Sequence, residues 1–195
     1  MRRREFLGVL GSAAAAWPLG AHAQQSERMR RIGVLLPATA DDAQTQVRLA
    51  GFLQGLQQAG WAVGHNVRID FRWTAGKADN IRKHVAELIA LAPDVILSAG
   101  GPNMPALQQA TRAIPIVFVA VADPVAAGLV DSLARPGGNI TGFMNTEYGL
   151  SGKWLELLKQ IAPSTTRVAV LRDLTNRSGL GQFGALQGSR RSAWS

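Results

Sequence analysis

Between Arg31 and Leu171 the chain alternates short, β-branched apolar runs with helix-periodic segments, and this alternation restricts the fold more than any other feature. Ile32-Gly33-Val34-Leu35-Leu36 is the first run, stopped by Pro37. Leu49, Phe52, Leu53 and Leu56 then recur at helical spacing, and Gly60 closes that segment. Val67 to Trp73 alternates with period two, as a half-exposed strand does. Ile81, Val85, Leu88 and Ile89 share a helix face ending before Pro93. Asp94 to Ser98 reads as a buried strand, Asn103 to Ala113 as a short helix, and Pro115 to Val121 as a second buried strand. A helix over Val125 to Leu133 and a strand at Ile140 to Phe143 complete the unit.

Continuous apolar strands separated by helices require a parallel sheet covered on both faces, because each crossover lays a helix across the sheet. The predicted fold class is therefore α/β, a doubly wound parallel sheet. Leu150, Trp154, Leu157, Leu158 and Ile161 then mark a helix leading to a strand at Arg167 to Leu171, which reads as the start of a second, incomplete α/β lobe. The expected organisation is lobe one over 24–145, a crossover helix and the opening of lobe two over 146–187, and a disordered tail over 188–195.

Residues 1–23 have the three parts of an export signal: charged Arg2-Arg3-Arg4, a short Gly/Ala-rich apolar stretch to Leu19, and small residues at Ala21 and Ala23. Paired arginines before Glu5-Phe6-Leu7 resemble a twin-arginine signal. The apolar stretch, roughly 12 residues, falls short of the ~20 a membrane helix needs. Cleavage near Ala23 and a periplasmic location are expected, with no stable membrane insertion. Cysteine is absent, so the chain has no disulfide framework, thiolate chemistry or lipid-anchored cysteine.

The formal charge of +8 falls to +6 once Arg2, Arg3, Arg4 and Glu5, together +2, are removed. After the signal no basic run exceeds Arg30-Arg31 or Arg190-Arg191, and aromatics are only 6% of the chain, which argues against a nucleic-acid surface.

In doubly wound sheets, ligands sit beyond the carboxyl ends of the strands, where loops expose backbone N–H groups. The candidate ligand residues are Thr39 and Asp41 after strand one, Gly100, Gly101 and Asn103 after strand three, Asp123 after strand four, and Asn145 beyond the last strand. Gly100 and Gly101 permit close approach to the main chain. Asn103 has the chemistry to cap the next helix while its amide faces the cleft, and Asp123 to accept from a ligand amine. Structural alternatives stand beside these: Asp41 or Asp42 as a helix N-cap, Asp123-Pro124 as a turn, Arg135 to Asn139 as a surface turn, Trp61 and Trp73 as packing residues.

Catalytic chemistry finds little footing. His65 and His84 have neither metal-ligand spacing nor a nucleophile partner, and no metal or cofactor is expected. Gly179-Leu180-Gly181-Gln182-Phe183-Gly184 matches G-x-G-x-x-G, but the strand before it stops near Leu171 and no acidic residue follows at the required distance; a loop and helix start fits better. An exported α/β hydrolase or reductase remains the alternative, without G-x-S-x-G or a placed cofactor loop.

Gly51-Phe52-x-x-Gly55-Leu56, Asp94-Val95-Ile96, Ile114 to Phe118, Asp123-Pro124-Val125 and Arg135-Pro136-Gly137-Gly138-Asn139-Ile140-Thr141-Gly142 together resemble the ABC-transporter substrate-binding family, which includes tryptophan-binding importer components. The resemblance implies a type I periplasmic-binding-protein fold, with two α/β lobes closing by a hinge on a small solute. It further implies delivery to an importer permease by a monomer without cofactor, and a chain cut short in its second lobe with impaired binding.

Overall fold

The computed structural model describes residues 28–172 and 178–193. The export-signal reading lies outside the described residues.

The apolar runs become strands β1 (Arg30–Leu36), β2 (Val67–Trp73), β3 (Val95–Ala99), β4 (Ile116–Ala122) and β5 (Ile140–Thr146). Between them lie α1 (Ala43–Gln58), α2 (Ala78–Ala90), and a 3₁₀ turn at Gly101–Asn103 that runs into α3 (Met104–Ala110). The five strands form one sheet in the order β2-β1-β3-β4-β5, every pair parallel. The chain steps one way from β1 to β2 and the other way thereafter. With right-handed crossovers, that reversal puts α1 on one face and α2 and α3 on the opposite face. The doubly wound α/β expectation is met.

The two faces are packed differently. Leu35, Ile96, Ile116 and Phe118 point toward α2 and α3, where Val85, Leu88, Met104 and Leu107 complete a buried core. Burying each such side chain stabilises the fold by about 1.5–3 kcal/mol. Gly33 lets α2 sit close, since a Cβ there would meet Leu88 at 3.2 Å. Gly142 does the same between strands: a Cβ would run into the Phe118 carbonyl and ring. On the other face Val34 and Leu36 are buried, whereas Leu97 and Val119 are only half-buried and Phe143 is 73% exposed. Helix α1 over this face contributes no fully buried residue.

Two helices follow β5: α4 (Leu150–Ile161) and α5 (Ser178–Ala193), which pack on each other. Gly152 of α4 faces the Ser189 side chain of α5, leaving no room for a Cβ. Trp154, Leu157 and Ile161 remain exposed.

Three expectations are revised. Val125 to Leu133 is not a helix: Ala127, Gly128 and Leu129 donate back to Asp123, Val125 and Pro124, making a single turn that ends at Gly128 with φ 69°. The β4-to-β5 crossover nevertheless seals the core with Leu129 and Val130, and Gln108 of α3 ties it down through the Gly128 carbonyl. Arg167 to Leu171 forms neither helix nor strand among the described residues, since an apolar β-branched run becomes a strand only when another strand takes its backbone hydrogen bonds. Helix α5 continues through Ala193, so residues 188–193, expected as a disordered tail, are helical. The G-x-G-x-x-G match falls in its first turns, inside a helix rather than in a strand-to-helix loop.

At the opposite, amino-terminal edge of the sheet, Asp94 accepts the Arg31 N–H at 2.8 Å and the Arg30 guanidinium at 3.0 Å, with Arg28 at 3.5 Å. The Arg31 N–H, then the arginine side chains, hold its carboxyl below the ordinary range. This cluster fixes the entry to β1 and lies away from the candidate loops.

Candidate functional site

The carboxyl edge of the sheet gathers the loops after β1, β2, β3 and β4. A buried polar bracket joins the first three. Thr74, immediately after β2, receives no solvent, and its single Oγ1 proton is shared between the Leu36 carbonyl at 3.2 Å and Asn103 Oδ1 at 3.4 Å. Asn103 is equally buried and donates through Nδ2 to the Leu35 carbonyl at 3.3 Å and the Ala99 carbonyl at 3.2 Å. Thr74 N–H also donates to Leu36 at 2.8 Å, and Ala75 N–H to Ala38 at 3.3 Å. The ends of β1, β2 and β3 are thereby pinned to one another, and the backbone polar groups that stop pairing where the strands diverge find partners inside the protein.

This places Asn103 differently from the expectation. Its side chain makes no capping bond to α3 and points into the interior, because the strand ends present carbonyls that need donors. Thr74 was not singled out from the sequence, although a threonine directly after a period-two strand, at the same edge as the other loops, was an available signal.

Asp123 adopts φ 41°, a costly conformation for a non-glycine residue. Its Oδ1 accepts the Ala126 N–H at 3.0 Å and its Oδ2 the Tyr148 N–H at 3.2 Å, so the carboxylate holds the turn and couples it to the start of α4. The turn reading is what these bonds express. Just before it, β4 shifts register on β5 around Ala120, itself at φ 55°. A bulge of this kind bends the strand end and re-aims the loop that follows.

Of the other sequence candidates, Thr39 and Asp41 are exposed on the loop after β1, and Asn145 is exposed near the end of β5. The Thr39 hydroxyl keeps the Asp41 carboxyl below its ordinary range. Asp42 is the N-cap of α1, accepting the Thr45 N–H at 2.7 Å, and hydrogen bonds from Thr45 lower its pKa as well. Gly100 and Gly101 are half-buried where β3 ends, Gly100 at φ 75° with its N–H on the Val119 carbonyl at 2.9 Å. Trp73 stacks on Phe71 at 6.5 Å, a packing role as expected, while Trp61 is 38% exposed.

Beside these loops a cavity of about 540 Å³ opens between α1 and the sheet. Leu36, Leu97, Ala99 and Val119 form its floor, Thr45, Arg48, Leu49 and Phe52 of α1 its roof, and Pro37, Gly100 and Ala120 its rim. Its size and mainly apolar lining with few polar groups are those of a small-solute site. A second cavity, about 500 Å³, lies among Leu155, Val168, Phe183 and Leu186, away from the strand ends. Among the described residues no three His, Cys, Asp or Glu side chains are grouped to hold a metal ion.

A parallel α/β lobe with a mainly apolar cavity and a glycine turn at the carboxyl edge of its sheet has the layout of one half of a solute-binding protein. Residues 31–178 match the family described as ABC transporter substrate binding protein, and the chain belongs to that family. A tyrosine-binding protein from Clostridioides difficile (strain R20291) is 35% identical over 121 residues, covering 62% of this chain and 34% of the relative. Among solved structures, the ABC domain in complex with L-Trp from Streptococcus pneumonia superposes with TM-score 0.73 at 25% identity, over 85% of this chain and 55% of that one. A ligand-free, open substrate-binding protein with adhesive properties from Clostridium difficile gives TM-score 0.62 at 30% identity, over 85% and 55%. The chain thus spans about a third to a half of the length of these relatives. None of these comparisons supports the hydrolase or reductase alternative.

Proposed function

We propose that this chain captures a small organic solute, of amino-acid size, at the carboxyl edge of its sheet for delivery to the membrane permease of an ABC importer. The observation that carries this reading is the pinned strand edge with its adjoining cavity, in a chain that belongs to a substrate-binding family. Residues 24–145 act as the ligand-docking lobe and 146–187 as the crossover into a second lobe, which closes over the solute by hinge motion in the full architecture. The exposed positions Thr39, Asp41 and Asn145, with the glycine backbone at 100–101, face that second lobe. Asn103 and Asp123 shape the loops from behind.

The working location is the periplasm, reached through a signal at residues 1–23 cleaved near Ala23, with the protein acting as a monomer. Among the described residues no helix is long and apolar enough to cross a membrane. A thermal-shift screen of the purified chain against L-tyrosine, L-tryptophan, other amino acids and small organic acids tests the reading. A dose-dependent rise in midpoint for one solute class supports it; a cooperatively folded chain that responds to none removes solute capture by this chain.

A further inference from the structure

We propose that the cavity under α1 takes an apolar monocarboxylate, with the Arg48 guanidinium as the counter-ion of the carboxylate. This rests on the solute-capture reading above and names the solute's chemical class. Thr45, Arg48, Leu49 and Phe52 recur at the three-and-four spacing of one helix face, so the helix that roofs the cavity puts one cation and one hydroxyl among apolar side chains. Arg48 is the sole charged residue lining the cavity, and no acidic side chain lies within ion-pair distance of it among the described residues. Asp42 feels the Arg48 charge but makes no ion pair with it, and its Oδ1 accepts the Thr45 N–H as the cap of the same helix.

A zwitterionic amino acid needs, besides a cation for its carboxylate, an acceptor for its ammonium group. The cavity offers no carboxylate for it, only the neutral Thr45 hydroxyl. Asp41, Asp42 and Asp123 all lie outside its lining, Asp41 beside Thr39 and Asp123 holding two backbone N–H groups. The strand-end carbonyls of Leu36 and Val119 are occupied by Thr74 and by the Gly100 N–H. An ammonium placed against Leu36, Leu97 and Val119 would lose its hydration without replacement, whereas a carboxylate on Arg48 gains a charge-assisted pair and leaves its apolar body on the sheet.

Three probes sharing one body decide the matter: phenylpropanoate with only the carboxylate, L-phenylalanine with both charges, and phenethylamine with only the ammonium, each titrated calorimetrically into the full chain. Phenylpropanoate is expected to bind about tenfold or more tighter than the other two, the scale of one charge-assisted hydrogen bond. Arg48→Met should abolish that preference, and Arg48→Lys should keep part of it. Because Arg48 is exposed, both variants should retain the wild-type melting temperature in the absence of probe. L-phenylalanine binding as tightly as phenylpropanoate, or Arg48→Met leaving phenylpropanoate unaffected, overturns the carboxylate assignment and leaves solute capture standing. Absence of binding by all three overturns the assignment; absence of binding by every solute in the wider screen removes the reading beneath it too.

Discussion

Replacing Asn103 with alanine tests whether the buried amide holds the carboxyl edge of the sheet. The substitution removes two donor bonds, to Leu35 and Ala99 at 3.3 and 3.2 Å, each contributing about 1 kcal/mol. The 3.4 Å contact from Thr74 adds little, since Thr74 keeps the Leu36 carbonyl. The void left at a fully buried position costs about 1 kcal/mol more. A loss of about 3 kcal/mol corresponds to a melting temperature lower by about 6–12 °C for a chain of this size, measured by circular dichroism or calorimetry. Asn103→Asp sharpens the test, because it aims a carboxylate at two carbonyl oxygens in a dry site. Burial and those oxygens raise its folded pKa above the unfolded ~3.9, so the folded form binds the proton more tightly. The variant should be closest to wild type in acid and lose stability as pH rises through the folded value. A melting temperature within about 3 °C of wild type for Asn103→Ala, or a pH-independent deficit for Asn103→Asp, would refute the bracket.

Other positions make independent predictions. Gly142→Ala forces a Cβ onto the Phe118 carbonyl and should cost about 3 kcal/mol or more, seen as a lower urea midpoint. Asp94→Asn removes a carboxyl whose pKa is depressed chiefly by the Arg31 N–H; stability from such a group is lost as pH falls through its folded value. The variant should therefore show a flatter acid limb in a pH-stability series and lower stability near neutrality. Asp42→Ala should fray the first turn of α1, with the Thr45 amide losing exchange protection, while Asp42→Asn retains most of the cap. Phe143→Ser, at a site 73% exposed, should leave the melting temperature nearly unchanged, and a large drop would mean the open sheet face is covered in solution.

The five strands and the first three helices were legible in the residues because burial on a sheet leaves a local record. Val95 to Ala99, apolar but for Ser98, and Ile116 to Ala122 are near-continuous apolar runs because one face packs on α2 and α3 and the other lies under α1, and the face of α2 reads directly as Ile81, Val85 and Leu88. The acidic cap of α1 and the glycines at the end of β3 were likewise visible, being local demands of backbone geometry. Family membership rested on the same contiguous motifs, within the span 31–178.

What the sequence by itself determined, then, was the order of the five strands and of α1 to α3, because short-range periodicity follows from neighbours along the chain. Only the tertiary structure decided the rest. Val125 to Leu133 carries helix-like apolar spacing, yet Gly128 and Asp123 close it as one turn. Arg167 to Leu171 has strand composition but no strand to pair with among the described residues. Asn103 and Asp123 have the chemistry of ligand contacts and are spent on backbone groups brought to them from as far away as Leu35 and Tyr148. Arg48 gains its meaning from lying over Leu97 and Val119, residues of strands it never touches in sequence. A polar side chain satisfies the nearest unpaired group in space, and which group that is depends on the packing of distant segments, not on the residues beside it.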